Sequence, residues 1–378
     1  MKKVLHIIDN MNEGGAQRVV FDYLERKNSL QNYKLEFVSL SAPTNSIYDN
    51  YIKQNKLSFS YLNCKQTTIK VKFLQKLISL VKRNFAIWSF IKSREVDAIH
   101  THITSVFMYM IVTFILFKGE KFHTMHSDPY SFSYNLVCIF KFIFRFFNVH
   151  PVAVSKVQRE KAMLRYRLSA CDLLCNSVDI TYIQNSIRGI SKNILCKKYN
   201  IPQNSFIIGS VGRLHHVKNY DGLIKIFAEY RKSVSRSVCL VIAGEGEERE
   251  KLINLARELR VEDLVFLLGK INVNCIYEIY KMLDLFVMTS HTEAAPMVFL
   301  EAQAVGVRCV VAGSVDSSMV YKENVQCMKT NASISDWCKA ISDTRYINRK
   351  ICSSKNFDVN TVMVRLEKIY DNYLKKLV

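Results

Sequence analysis

Glycine and proline are scarce in this sequence, 12 and 5 of 378 residues. That excludes collagen-like and linker-dominated chains and predicts that most of it packs as regular secondary structure. Eleven cysteines contain no C-x-x-C pair, and the nearest two, Cys171 and Cys175, sit at helical spacing in an apolar stretch. Neither a zinc framework nor a disulfide scaffold is expected, and reduced thiols of a cytoplasmic protein are the simpler reading. There is no Asp-x-Asp, the usual carboxylate pair for a metal–diphosphate complex. No nucleic-acid-binding motif is present. The apolar stretch Ile103–Phe117 has 15 residues, short of the roughly 20 that cross a bilayer, and is expected to form a buried helix. The start, Met1–Asp9, has too short an apolar run for a secretory leader and reads as a first buried strand.

What the sequence does have is length and positive charge. A chain of 378 residues exceeds one ordinary core and suits two α/β domains. The formal net charge is +20, and it is uneven. Residues 1–177 carry 25 Lys/Arg against 12 Asp/Glu, a surplus of 13, and residues 178–378 carry 28 against 21, a surplus of 7. An anionic partner follows, with nucleic acid, anionic lipid and sugar nucleotides all qualifying on charge alone. Short apolar runs alternate with helical patterns through the first half: Val4–Ile8, Lys34–Leu40, Val96–His100, Lys121–Met125, Val152–Val154 and Leu173–Cys175 read as strands. The pattern loosens around Ser177–Asn204, as in a linker. It restarts with Phe206–Val211, Ser237–Ala243, Leu264–Leu268, Leu285–Met288 and Arg308–Val311, and a last helix spans about Asn360–Leu377. A basic helical region is expected over Val71–Arg94. Strands separated by helices imply parallel sheets, whose ligands bind beyond the carboxyl ends of the strands. One further segment, Asn135–Phe147, interleaves Phe140, Phe142, Ile143, Phe144, Phe146 and Phe147 with Lys141 and Arg145. It fits either a core helix with exposed cations or a helix lying in a membrane interface.

Four segments that follow strands carry chemistry. Asn12-Glu13-Gly14-Gly15-Ala16-Gln17 joins a strand to a helix by a glycine turn whose N–H groups can face an anion. Gly212-Arg213 and Lys218, five residues on from Arg213, supply a guanidinium fork and a point charge suited to a diphosphate. Gly244-Glu245-Gly246 allows backbone to approach a flat ligand such as a nucleobase, and its acidic residues also suit a helix start. The sharpest is Glu293-Ala294-Ala295-Pro296-Met297 running into the apolar helix that carries Glu301. Pro296 is placed to open that helix. A carboxylate among Phe299, Leu300, Ala302 and Ala304 is prone to burial and normally has a partner.

With these motifs in this order the chain resembles the family 4 glycosyltransferases of the GT-B fold. The two glutamates, Glu293 and Glu301, are that family's most specific signature. The Arg213/Lys218 element, the Gly244–Gly246 turn, the Gly14-Gly15 loop, Val152-Ala153-Val154-Ser155 and the hinge-like Asn176-Ser177-Val178-Asp179 accompany them. The resemblance covers nearly the whole chain. It implies two Rossmann-like domains with parallel sheets facing across a cleft: an acceptor-binding domain over 1–177, a nucleotide-sugar domain over 178–359, and a final helix, 360–378, packing back on the first. It implies that Arg213 and Lys218 hold the donor diphosphate, that Glu301 binds ribose hydroxyls, and that Glu293 contacts the sugar. Gly15 would close over the phosphates, Gly244, Glu245 and Ala294 to Met297 would line the donor site, and His126 would face the anomeric carbon. From the residues alone, His123 is an equal candidate and His102 a weaker one.

The activity implied is retaining, metal-independent transfer from a nucleotide sugar, most commonly UDP-linked. The acceptor expected is a glycan, lipid-linked or oligosaccharide, in envelope, capsule or exopolysaccharide biosynthesis. Charge asymmetry and the aromatic-basic helix add a peripheral position on an anionic membrane, at its cytoplasmic face. A soluble transferase acting on a small molecule or protein, and a non-catalytic sugar-nucleotide-binding subunit, are the alternatives. Departures from the family pattern are Ala294-Ala295 where Gly-Phe is usual, Arg308 where proline is usual, and Ser177 where glycine is usual.

Overall fold

The computed structural model describes residues 1–12, 14–64, 72–272, 275–320, 323–343 and 355–375. Glu13, Val71 and the expected end of the last helix beyond residue 375 lie outside the described residues. The chain forms two units, Met1–Ser177 with Val359–Val378, and Val178–Asp358. Val178 and Asp358, the first and last residues of the second unit, form a parallel bridge, with Val178 N–H donating to the Phe357 carbonyl at 2.9 Å.

Unit 1 is built on strands β1 (Lys2–Ile8), β2 (Tyr33–Ser39), β3 (Ser60–Tyr61), β4 (Ala98–His102), β5 (Glu120–Met125), β6 (Val149–Ala153) and β7 (Asp172–Leu173). They lie in the order β3-β2-β1-β4-β5-β6-β7, every pair parallel. Unit 2 uses β8 (Phe206–Val211), β9 (Val238–Ala243), β10 (Val265–Gly269), β11 (Leu285–Met288), β12 (Arg308–Val311) and β13 (Val325–Cys327). Their order is β10-β9-β8-β11-β12-β13, again all parallel. A parallel sheet covered by helices on both faces buries both sides of each strand, which is why β9 and β11 are continuous apolar runs, buried throughout.

In each sheet the strand order reverses once, at β1/β4 and at β8/β11. Loops leaving the carboxyl ends of such a strand pair diverge and open a crevice. The Gly212–Lys218 and Thr289–Pro296 segments leave β8 and β11, and the Gly14-Gly15 turn and residue 103 follow β1 and β4. The candidate residues are therefore concentrated by topology.

Three expectations change. Ile103–Phe117 is not one buried helix but two short ones, Thr104–Tyr109 and Ile111–Leu116, meeting at Met110. The break leaves Val112, Ile115 and Leu116 exposed. Residues 177–204 are not a loose linker; they hold helices Ile180–Ser186 and Lys192–Lys198, capped by Asp179 and Ser191, which pack on other helices of unit 2. The aromatic segment is helix Tyr134–Phe146, and it divides by face. Val137, Phe140, Ile143 and Phe144 are core, whereas the rings of Phe142 and Phe146 meet at a tilt, 4.7 Å between centroids, and remain 52% and 63% exposed.

The last helix, Val359–Leu374, completes unit 1. Its Glu367 carboxylate accepts from the Gln31 and Asn32 N–H groups at 3.0 and 2.9 Å. Tyr33 donates to Asp371 at 2.8 Å, and Tyr373 donates to Asp172 at 2.9 Å. Val362, Met363, Leu366 and Tyr370 are fully buried.

Candidate functional site

In unit 2 the loop after β8 is shaped by two residues with left-handed backbones, Gly212 (φ 150°) and Asn219 (φ 54°). Asn219 caps helix Tyr220–Lys232, its side chain accepting from Gly222 N–H at 3.2 Å. The same side chain donates to the Thr289 carbonyl at 3.1 Å, and the Thr289 hydroxyl donates to the Asn219 carbonyl at 2.9 Å. His291 N–H donates to the Val217 carbonyl at 2.8 Å. The loop that carries Arg213 and Lys218 is thus fastened to the loop that carries Glu293.

That fastening brings Lys218 and Glu293 together. The ammonium lies 2.6 Å from Glu293 Oε1, with the side chains 25% and 11% exposed. Glu301, the fifth residue of helix Met297–Val305, is buried and accepts a hydrogen bond from the Tyr280 hydroxyl at 2.9 Å. Burial and the Glu301 charge both push the Tyr280 hydroxyl far above the usual phenol range, so it stays a donor. Arg213 is placed differently. Its side chain is 71% exposed and reaches Glu247 at 3.1 Å, and His215 lies 3.5 Å from the same carboxylate. Such exposed pairs contribute little, so the guanidinium can leave Glu247 for an anion that accepts two hydrogen bonds at once.

Pro296 is the residue before the helix rather than its first residue, and Met297 opens it. Neither Ala294 nor Ala295 has a positive φ, so alanine fits this loop without strain where the family pattern has Gly-Phe. Arg308 lies away from these charges. It is buried, and its guanidinium donates to the Ala340 and Ile341 carbonyls, capping the end of helix Ile334–Ser342.

Gly244 and Gly246 answer to the chain itself. A Cβ on Gly244 would lie 1.9 Å from the Gly212 carbonyl oxygen, and one on Gly246 would lie 2.2 Å from that of Leu214. Leu214 N–H donates to the Glu245 carbonyl at 3.0 Å, so the Gly244–Gly246 turn props up the Arg213 loop. The Glu245 carboxylate pairs with Arg249 at 3.5 Å. Gly244→Ala is expected to destabilise unit 2 by roughly 3 kcal/mol or more, through both the clash and φ. Gly189→Ala, at φ 74° with nothing near its Cβ position, is expected to cost only about 1 kcal/mol. Urea unfolding of the two variants checks the contrast.

In unit 1, Gly15 is the first residue of helix Gly15–Glu25. His123 and His126 separate clearly. His123 is buried and stacks on Phe107 at 4.0 Å. The Thr101 hydroxyl beside it donates to the Phe122 carbonyl, so His123 Nδ1 is itself the donor to Thr101 Oγ1, at 2.9 Å. His126 lies one residue beyond β5 and is only half-buried. Its Nε2 is 3.2 Å from His102 Nδ1. His102 lies within β4 rather than after it, and is wholly buried.

Sequence reasoning missed Tyr280, Asn219 and Thr289. Tyr280 sits at an apolar position of helix Ile276–Met282, and nothing local signals a partner 21 residues away. Asn219 was readable in principle, because asparagine before a helix is both a cap and a tolerant left-handed residue.

The two parallel-sheet α/β units define the GT-B fold. Residues 191–341 match the model of the family described as glycosyl transferases, group 1. The chain is similar over 98% of its length to the capsular polysaccharide biosynthesis glycosyltransferase CapH of Staphylococcus aureus, at 23% identity and covering 99% of that protein. It is similar over 96% of its length to the UDP-Gal:alpha-D-GlcNAc-diphosphoundecaprenol alpha-1,3-galactosyltransferase of Escherichia coli, at 24% identity and covering 94% of it. Among solved structures, Anabaena Alr3699/HepE in complex with UDP and glucose superposes with a TM-score of 0.79, covering 98% of this chain and 100% of that one at 17% identity. The chain is a glycosyltransferase enzyme, and relatives along its whole length include proteins of polysaccharide and capsule biosynthesis.

Proposed function

We propose that this chain is a retaining, family 4 glycosyltransferase that moves a hexosyl group from a UDP-sugar to a lipid-linked glycan at the cytoplasmic face of a membrane. The observation that carries the donor half is the Lys218–Glu293 pair at 2.6 Å, seated at the strand-order reversal of unit 2. Breaking the glycosidic C–O bond leaves the electron pair, and so negative charge, on the diphosphate. Lys218 and Arg213 take up that charge where a metal ion would otherwise do so. Glu293, released as Lys218 turns to the phosphate, contacts sugar hydroxyls, and Glu301, held by Tyr280, accepts from the ribose. The family resemblance assigns the anomeric carbon to His126 and the phosphates to the Gly15 loop. The new bond forms between the acceptor hydroxyl oxygen and the anomeric carbon, and the hydroxyl proton passes to the departing phosphate oxygen.

The E. coli relative's name specifies a UDP-linked donor and a diphosphoundecaprenol acceptor, which supports both halves of the reading. The membrane position rests on the surplus of 13 positive charges in residues 1–177 and on exposed Phe142 and Phe146 flanking Arg145. Among the described residues no helix is long and apolar enough to cross a membrane.

A panel of nucleotide sugars screened for thermal stabilisation, followed by turnover with lipid-linked acceptor and added chelator, tests the proposal. The expected result is a shift of several degrees with one UDP-sugar at saturating concentration, chelator-insensitive transfer with retention at the anomeric carbon, and sedimentation with anionic vesicles. Binding without transfer would favour a non-catalytic subunit, and indifference to anionic lipid would remove the membrane element.

A further inference from the structure

Six side chains from β1, β4, the β5 segment and the C-terminal helix form an unbroken polar series inside unit 1. Thr124 Oγ1 is 2.7 Å from His100 Nε2, and His100 Nδ1 is 2.7 Å from the Tyr370 hydroxyl. That hydroxyl is 3.0 Å from His6 Nε2, and His6 Nδ1 is 3.0 Å from His102 Nε2. His102 Nδ1, finally, is 3.2 Å from His126 Nε2. Parallel pairing produces the alignment: His6 sits opposite His100, His102 sits opposite Thr124, and alternate residues of β4 share a face. His6, His100, His102 and Tyr370 are all buried.

Burial disfavours charge on these rings. It lowers His6 to about 3 and His126 to about 4, and takes His100 and His102 well below the ordinary histidine value. A neutral imidazole has one N–H and one bare nitrogen. With the Tyr370 hydroxyl donating to one ring and accepting from the other, the direction of one bond sets all the others. In one arrangement each group donates towards His126, whose Nε2 accepts and whose Nδ1 carries the proton. In the other each group donates towards Thr124, and His126 holds its proton on Nε2. The Tyr370 hydroxyl both donates and accepts, so it preserves continuity in either sense. In both arrangements Nε2 of His126 is engaged with His102, so Nδ1 is the nitrogen presented to a ligand, as donor in the first and acceptor in the second.

His6, His100 and His102 also offer ligand atoms within 4.8 Å of one another, the one such group among the described residues. Every nitrogen of these three rings already has a hydrogen-bond partner, and a bound cation would have to break several of those bonds.

We propose that these six groups act as one hydrogen-bonded chain with two polarities, through which Tyr370 of the C-terminal helix serves as a positioning residue that ties the proton position on His126 to that on His100. The functional part rests on the reading that His126 meets the donor sugar. A ring of fixed tautomer presents either a donor or an acceptor to a sugar hydroxyl, and one that alternates presents the wrong group for part of the time.

The test is the nitrogen-15 spectrum of the histidine rings in the full-length protein at neutral pH, with His126 identified by comparison with His126→Ala. Wild type is expected to show the same protonated nitrogen on His126 as on His100, and folded Tyr370→Phe is expected to lose that agreement and move the His126 signals. With that variant kcat is expected to fall about tenfold while donor KM changes less than about twofold, as for one lost hydrogen bond that matters at the transition state. Thr124→Val, which removes the far end of the chain with little change of shape, is expected to move the His126 signals in the same sense, and carries the test if Tyr370→Phe does not fold. Unmoved His126 signals in a folded variant would overturn the proposal, as would zinc shifting His6, His100 and His102 together. Signals that move while kcat does not would leave the chain standing and count instead against His126 as a donor contact, which loss or retention of turnover in His126→Ala decides independently.

Discussion

Lys218→Ala is expected to lower kcat for sugar transfer by roughly a thousandfold, the scale on which one preorganised electrostatic contact to a developing charge acts. The loop that holds Lys218 is anchored by Asn219, Thr289 and His291 through contacts that do not use the ammonium. The loop should therefore keep its shape, with a change in urea midpoint far smaller than the change in rate. The variant also leaves the Glu293 carboxylate, 11% exposed, without the cation 2.6 Å away. A stranded charge of that kind could itself lower activity. Lys218→Ala combined with Glu293→Gln separates the two causes. If the double variant stays as slow as Lys218→Ala while Glu293→Gln alone is clearly faster, the loss belongs to the leaving diphosphate; if turnover returns, the lysine only neutralised Glu293 and the assigned role fails. Lys218→Arg is expected to rescue poorly, because a planar fork does not occupy the place of a compact ammonium.

Acid is expected to destabilise unit 1 steeply. His6 and His123 are lowered to about 3 by burial, and His100 and His102 also lie well below 6.5 for the same leading reason. In the unfolded chain all four titrate near 6.5, so between that value and about 3 the unfolded state binds more protons than the folded one. Stability is then intact above pH 6.5 and lost as pH falls, each histidine contributing up to roughly 1.4 kcal/mol per pH unit. Four such groups exceed the margin by which most domains are folded, so unit 1 should open near pH 5 before all four are charged. The two tryptophans divide between the units, Trp88 in the first and Trp337 in the second. Emission from Trp337→Phe and Trp88→Phe variants therefore follows each unit separately. An unfolding midpoint of unit 1 that is flat from pH 7 to 5 would contradict the neutral, buried state of these rings.

The sheet of unit 2 was legible in the sequence because its strands are mostly apolar, Leu285–Met288 without interruption: Phe206–Val211, Leu285–Met288 and Arg308–Val311 carry the same limits in both. Unit 1 was less so at β4, read as Val96–His100 and found as Ala98–His102. His-Thr-His is a poor hydrophobic signal, and only hydrogen bonds from β1, β5 and a helix some 270 residues away allow it to be buried. The same reasoning covers the site. Lys218, Glu293 and Glu301 stand out as charges in apolar or glycine-turn surroundings, whereas Tyr280 looks like any core aromatic until its hydroxyl is seen on Glu301. The use of Gly244 to pass close to Gly212 was likewise hidden, since a glycine between strand and helix serves a ligand or a neighbouring loop equally well.

Closure of unit 1 by residues 359–375 gives the protein an order of assembly. Every residue of unit 2 precedes them in the sequence, so during synthesis unit 2 can complete its own sheet while the strands that open the chain still lack their final helix. Until Tyr370 arrives, His6 Nε2 and His100 Nδ1 lack the hydroxyl that each of them meets in the finished fold. The early domain is held back, and it becomes a finished fold only after the later one is already made.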